Sequence, residues 1–221
     1  MIISYWHIAI AQQVDLDTLA IDISEPNLCH HLQCFLQDQL ESDSSSSPFF
    51  YIPNKISVYS SAVTTFYAPS DLCRTGGMCC ERMHAVTSWW HGRPQYDCVF
   101  VNTDESEPGM HGLSVARARL FFRVTVNGLK YPCALVHWYS RVGDSPDEST
   151  GMWAVEPDTL DNGKPQTAII HLDTVVRLAH LLPIYGEEWA PRGVKYTSSL
   201  DVFSEFYVDK FADHHAFEIA F

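Results

Sequence analysis

The first 54 residues contain no lysine or arginine, yet they hold seven acids: Asp15, Asp17, Asp22, Glu25, Asp38, Glu41 and Asp43. Such a segment has nothing to attract a phosphate backbone. Basic residues begin only at Lys55, which marks a boundary in composition. The deficit persists over the whole chain, where 14 Lys and Arg face 27 Asp and Glu for a formal charge of −13. That balance argues against a surface devoted to nucleic acid and fits either solubility or basic partners such as Lys/Arg-rich tails. No apolar run approaches the ~18–20 residues that a bilayer requires, so no membrane partner is expected. The opening "MIISYWHIAIAQQ" lacks a basic n-region and a small-residue cleavage site, so it does not read as a signal peptide. Seven scattered cysteines, an odd number, do not form a disulfide framework. They read as reduced thiols of a cytoplasmic or nuclear, non-secreted protein. G-x-S-x-G, P-loop and G-x-G-x-x-G patterns are all missing, which removes the familiar hydrolase and nucleotide-binding geometries.

What is present suits a folded domain. With 221 residues, 46% hydrophobic and 19% charged, the chain can bury one sizeable core. Ser24, followed by Glu25 and Pro26, predicts a helix start. Leu28, Leu32, Phe35, Leu36 and Leu40 then recur at helical spacing and form one apolar stripe. The Ser-rich stretch from Glu41 to Pro48 reads as a linker. The expected organisation is therefore an acidic helical segment over 1–48 and a β-rich globular domain over 49–221.

Beyond the linker, short runs rich in β-branched and aromatic residues alternate with turns. Strands are predicted in 55–68, 96–103, 152–157 and 167–173. The clearest is 115–126. There Ala116, Ala118, Leu120, Phe122, Val124 and Val126 share one face by alternation, and Arg117, Arg119, Phe121, Arg123 and Thr125 share the other. Asn127-Gly128 follows as a type I′ hairpin turn, and 131–140 is its partner strand. The stretch 174–186 reads as either a short helix or a strand, and the C-terminal 199–221 is roughly helical in period. The expected fold is mainly β (α+β): a small, partly open β-barrel of six or seven strands with an N-terminal helix and a C-terminal helical tail.

Eight segments carry a family resemblance: "ISVYSSAVTTFYAPSDL", "GGMCCERM", "YDCVFVNTDE", "ARLFFRV", "YPCALVHWYS", "DESTGMWAVEPD", "IIHLDTVVRLAHLLPIYG" and "FYVDKFADHHAFEIAF". In this order and spacing they resemble the C-terminal region of proteins encoded by fungal Plavaka-type, CACTA-like DNA transposons. The resemblance implies a region downstream of a transposase's catalytic core, distantly similar to bromo-adjacent homology (BAH) domains. It supplies no catalytic residues to carry over. It implies an accessory role in the nucleus.

Several constellations invite chemistry. Cys73, Cys79, Cys80 and His84 lie within twelve residues, but vicinal thiols rarely ligate one ion, and buried or loop thiols are expected. Cys29, His30, His31 and Cys34 fall on the predicted helix, where His30 and Cys34 share a face but supply only two ligands. His137, His171, Asp173 and His180 lack a recognised metal spacing. His214-His215 reads as structural or docking. Asp97, Asp104, Asp144, Asp147, Glu148 and Asp173 match a two-metal nuclease site only in composition, since most sit in turn-like sequence.

Two features favour binding. The Arg117, Arg119 and Arg123 stripe, flanked by Phe121, is a candidate contact for phosphate. Trp138, Tyr139 and Trp153, beside the acidic loop with Asp147 and Glu148, have the composition of a methyl-ammonium cage. The expectation is a non-catalytic interaction domain of transposon origin, without catalytic residues, metal or cofactor, that binds a protein or chromatin partner. Nucleic-acid binding through the arginines is one alternative, and a metal-dependent nuclease is the other.

Overall fold

A computed structural model describes residues 12–41, 51–69, 75–88, 92–186, 193–195 and 198–221. The chain enters through a short strand, β1 (Gln12–Asp15), and turns directly into α1 (Leu16–Asp22). Asp15 caps that helix by accepting from the backbone N–H groups of Asp17 and Thr18 at 3.2 and 3.3 Å. Ser24 is not the cap that the sequence predicts. With φ of 60° it lies in the turn between the helices, and α2 (Leu28–Glu41) begins four residues later. The apolar stripe of α2 is seated as its spacing demands: Leu28, Leu32, Phe35 and Leu36 are buried. Most of the Ser-rich stretch lies outside the described residues.

The strands follow as β2 (Lys55–Tyr59), β3 (Ser61–Tyr67), β4 (Met78–Val86), β5 (Gln95–Tyr96), β6 (Cys98–Asn102), β7 (Leu113–Val126) and β8 (Leu129–Val142). Next come β9 (Ala154–Pro157), β10 (Thr167–His171), β11 (Val175–Leu178), β12 (Leu181–Pro183) and β13 (Phe206–Val208), with α3 (Ser199–Val202) before β13 and α4 (His214–Ile219) after it. The architecture is mainly β, 44% strand against 21% helix, and its principal sheet curls into an open half-barrel. Among the described residues ten strands make that sheet and three, β3-β4-β5, make a second, more than the six or seven expected. The surplus arises because single hydrophobic runs break in two: 55–68 divides at Ser60 into β2 and β3.

The β7–β8 hairpin is the spine. Asn127 and Gly128 both take positive φ, 52° and 81°, as a type I′ turn requires. β7 pairs with β6 along its first half and with β2 along its second. β8 pairs with β10 in its middle and with β9 at its end. From β9 the sheet continues through β13 to β12. β11 returns to pair with β6, and a 3₁₀ turn at 172–174 joins it to β10. The second sheet lies across this curl, tied by Thr64 Oγ1 donating to the Val176 carbonyl at 2.9 Å.

The ladder slips between Ala118 and Leu120, leaving Arg119 without a cross-strand partner on β8. A bulge of this kind reverses the inward and outward alternation beyond it. Leu120, Phe122, Val124 and Val126 therefore pack with α1 and α2 in one core. Ala116, Ala118 and Phe121 belong to a second core with Met83, Ala85, Leu172 and Val175. A third core gathers Cys98, Phe100, Val115, Tyr139, Trp153, Val155, Phe206 and Val208.

Two further readings resolve here. The stretch 174–186 is two strands, β11 and β12, rather than a helix. The C-terminal region is helical only at α3 and α4. Between them Phe206 and Val208, both at 0% exposure, alternate into the third core as β13, so burial on the sheet overrides the helical period.

Candidate functional site

Arg117 precedes the slip on β7 and Arg119 sits at it, and both alternate with Ala116 and Ala118, which face the second core. Tyr96, at the end of the two-residue β5, stands beside them. The Arg119 guanidinium carbon is 3.9 Å from the Tyr96 ring centroid and that of Arg117 is 5.7 Å away. Arg117 Nη1 donates to Asp201 Oδ1 on α3 at 2.6 Å, while its buried Nε has no hydrogen-bond partner among the described residues. Among the described residues Arg119 makes no hydrogen bond or ion pair with a carboxylate, and Glu25 and Asp201 act on it only through space; Tyr96 is its neighbour.

Three adjoining hollows surround these two arginines. One of about 820 Å³ is lined by Arg93, Tyr96, Asp97, Arg117 and Lys195. One of about 340 Å³ lies among Asp22, Tyr96, Arg117, Arg119 and Asp201. The last, about 330 Å³, lies among Arg117, Arg119, His137, Asp158 and Asp201. His137 is directly opposite Arg117 in the hairpin and its Nε2 is 2.8 Å from Glu25 Oε1, which ties the α1–α2 turn to this wall. Burial draws the Arg119 guanidinium below the ordinary arginine value, opposed by Tyr96 and reinforced by Arg117. Burial acts on Arg117 the same way, but its hydrogen bond and charge interaction with Asp201 prevail and hold it above that value.

Arg123 does not join this group. It lies beyond the slip and on the opposite face, 5.8 Å from the Tyr59 ring of the second core. Simple alternation places three arginines in one stripe; the bulge splits them two and one.

The aromatic candidates do not form a cage. Tyr139 and Trp153 are buried in the third core at 7% and 2% exposure. Trp153 is further covered by Arg141 and by the edge of His111, both with ring-centroid distances of 5.4 Å. Trp138, one residue from Tyr139, points the other way and packs against the second core. Asp147 Oδ1 accepts from Thr150 N, Thr150 Oγ1 and Ser149 N, which hold its carboxyl below the usual range and bind it into its own turn. Glu148 is exposed.

The metal candidates are also dispersed. Cys79 and Cys80 are neighbours on β4 and so face opposite ways, Cys79 buried beside Phe66 and Ala68, Cys80 exposed. Cys73 lies outside the described residues. His84 Nδ1 is 3.1 Å from Asp97 Oδ2. On α2, His30 Nε2 and Cys34 Sγ are 3.8 Å apart on an exposed face, with Cys29 also exposed, and burial lowers His31. His171 accepts from Asp173 N, His137 is engaged by Glu25, and His180 is exposed, so these do not converge. Asp104 accepts from Ser106. Among the described residues no three His, Cys, Asp or Glu side chains are placed to hold one metal ion.

One cluster has no counterpart among the sequence expectations. Arg177 on β11 is fully buried. It donates to Glu81 on β4 and to both carboxylate oxygens of Asp213, at 2.8 and 2.5 Å. Its guanidinium lies 4.8 Å from the Phe66 ring, on which His215 stacks at 4.6 Å. Asp213 also caps α4 by accepting from Ala216 N at 2.7 Å. Glu81 accepts from Leu178 N as well. The signal was available: an arginine inside "VVRLA" must carry its own counter-ions.

Comparison with known proteins returns no match: no family model fits the chain, and no curated protein or solved structure is similar to it. The described residues contain no helix long and apolar enough to cross a membrane.

Proposed function

We propose that this chain is a non-catalytic interaction domain, which receives an anionic side chain of a protein partner in the cleft between Tyr96, Arg117 and Arg119. The observation that carries this reading is Arg119, a half-buried cation that leans on an aromatic ring and, among the described residues, is bonded to no carboxylate. A cation left in that state is poised for a charge-assisted hydrogen bond. The acids around the cleft, Asp22, Asp97, Asp158 and Asp201, select the size of the partner group. A single anionic group fits between them, whereas the repeating phosphates of a nucleic acid would run onto like charge within a Debye length of about 8 Å. The resemblance to Plavaka-type transposon proteins supplies a setting, an accessory domain acting on a nuclear protein partner.

The test is pull-down and titration of acidic peptides against the chain and its Arg119→Gln and Arg123→Gln variants. Loss of at least tenfold in affinity with Arg119→Gln and none with Arg123→Gln supports the cleft. Tight, salt-steep binding of a DNA oligonucleotide that survives Arg119→Gln would sink it and point to another surface.

A further inference from the structure

We propose that the group the cleft accepts is a phosphoryl dianion bridging Arg117 and Arg119, and that Asp201 is a built-in competitor it displaces. This rests on the cleft reading above and narrows it to one ligand chemistry.

Most guanidinium donors in the cleft are unengaged among the described residues. Each guanidinium carries five N–H bonds. Of the ten on Arg117 and Arg119, one, on Arg117 Nη1, reaches an acceptor among the described residues, Asp201 Oδ1 at 2.6 Å. A carboxylate has two oxygens and one negative charge; a phosphoryl group has three terminal oxygens and nearly two charges. Only the second can engage both arginines with oxygen to spare, and paired forks on one oxyanion are the arrangement that arginine recognition of phosphate favours. The two side chains are also correctly disposed. They are two positions apart on one face of a strand, so they flank a common point, and both line the two smaller hollows with Asp201.

Asp201 then has a role. Its carboxylate sits on Arg117 as an internal anion, while its own side chain is 59% exposed. An ion pair with one partner so open to water holds weakly. An incoming dianion can take its place at small cost, whereas a neutral hydroxyl cannot. The pair therefore discriminates a phosphorylated residue from its unmodified form. Tyr96 completes the site by holding the Arg119 plane before the ligand arrives.

The experiment is calorimetric titration of the full chain with inorganic phosphate, with a phosphoserine peptide, and with the same peptide carrying serine or glutamate. The expected order is phosphopeptide tightest, then glutamate, with serine unbound. Asp201→Asn should tighten phosphate and phosphopeptide by about two- to fivefold, the worth of an exposed pair. Arg119→Gln should weaken both by tenfold or more, and Arg123→Gln should leave both unchanged. If the glutamate peptide binds as tightly as the phosphopeptide, and does so through Arg119, the phosphoryl assignment fails and the cleft stands. If Asp201→Asn weakens binding, Asp201 is a ligand contact and the competitor role fails. If none of the titrations depends on Arg119, both the assignment and the cleft reading fall. Free phosphate binding without gain from the peptide would mark a small-molecule site and overturn the protein partner alone.

Discussion

The guanidinium of Arg119 lies 3.9 Å from the centroid of the Tyr96 ring, the closer of the cation–ring contacts that the two cleft arginines make with it. Such a contact is worth about 0.5–2 kcal/mol, depending on how far it is desolvated. Its main effect in a recognition site is to fix the plane of the cation, so that less rotamer freedom remains to be lost on binding.

Tyr96→Leu keeps apolar bulk and removes the ring. It is expected to weaken the anionic ligand of the cleft about three- to tenfold, the equivalent of ~1 kcal/mol. Tyr96→Phe should bind like the parent, because the ring and not the hydroxyl makes the contact. The two titrations, run beside thermal melts showing equal folding, check this.

Arg177→Met should destabilise the fold by about 3 kcal/mol. Removing one partner of a buried ion network strands the other charges, and the usual cost is ~3–5 kcal/mol. The lower end applies because Asp213, with a side chain 44% exposed, can rehydrate, while Glu81 at 18% cannot do so fully. Arg177→Lys should recover only part of the loss, since an ammonium cannot fork to both acids. Urea unfolding monitored by tryptophan fluorescence measures the midpoints.

The same cluster sets an acid limit. His215 is lowered from the usual histidine value by burial and then by Arg177. Asp213 is driven well below the carboxylate range, first by its hydrogen bond from Arg177. With both folded-state values depressed, the native chain binds fewer protons than the unfolded one, so stability falls as pH falls. The contributions are complete above about pH 6.5. That of His215 is lost as pH drops below this value, and that of Asp213 only below about pH 4. His215→Gln should flatten the upper part of a stability–pH curve and Asp213→Asn the lower part, each read from urea midpoints between pH 3 and 8.

Much of the fold is legible from local pattern. The apolar spacing of α2 and the Asn127-Gly128 turn each rest on a single backbone rule, and each appears where that rule puts it. The limits are equally physical. Ser24 satisfies the composition of a helix cap, but the chain uses it at positive φ to turn between two helices, which residue type alone does not distinguish. Phe206 and Val208 belong to a helical period on paper and to a strand in the sheet, because tertiary burial outweighs propensity. The candidate cleft was half visible. Arg117 and Arg119 stand out in an acidic chain, but Tyr96 and Asp201 reach them from distant segments, and Arg123 leaves them through a ladder slip that alternation cannot express.

The slip at Arg119 has a consequence for how this surface can change over time. A paired strand residue answers to a neighbour on the adjacent strand; the residue skipped by the ladder answers to none in β8. The position proposed to carry the chemistry of the cleft is thus one that the pairing of β7 with β8 leaves unconstrained. On the proposed reading, replacing Arg119 should alter what the cleft accepts while β7 and β8 stay in step, so that specificity can drift with little cost to the hairpin's register.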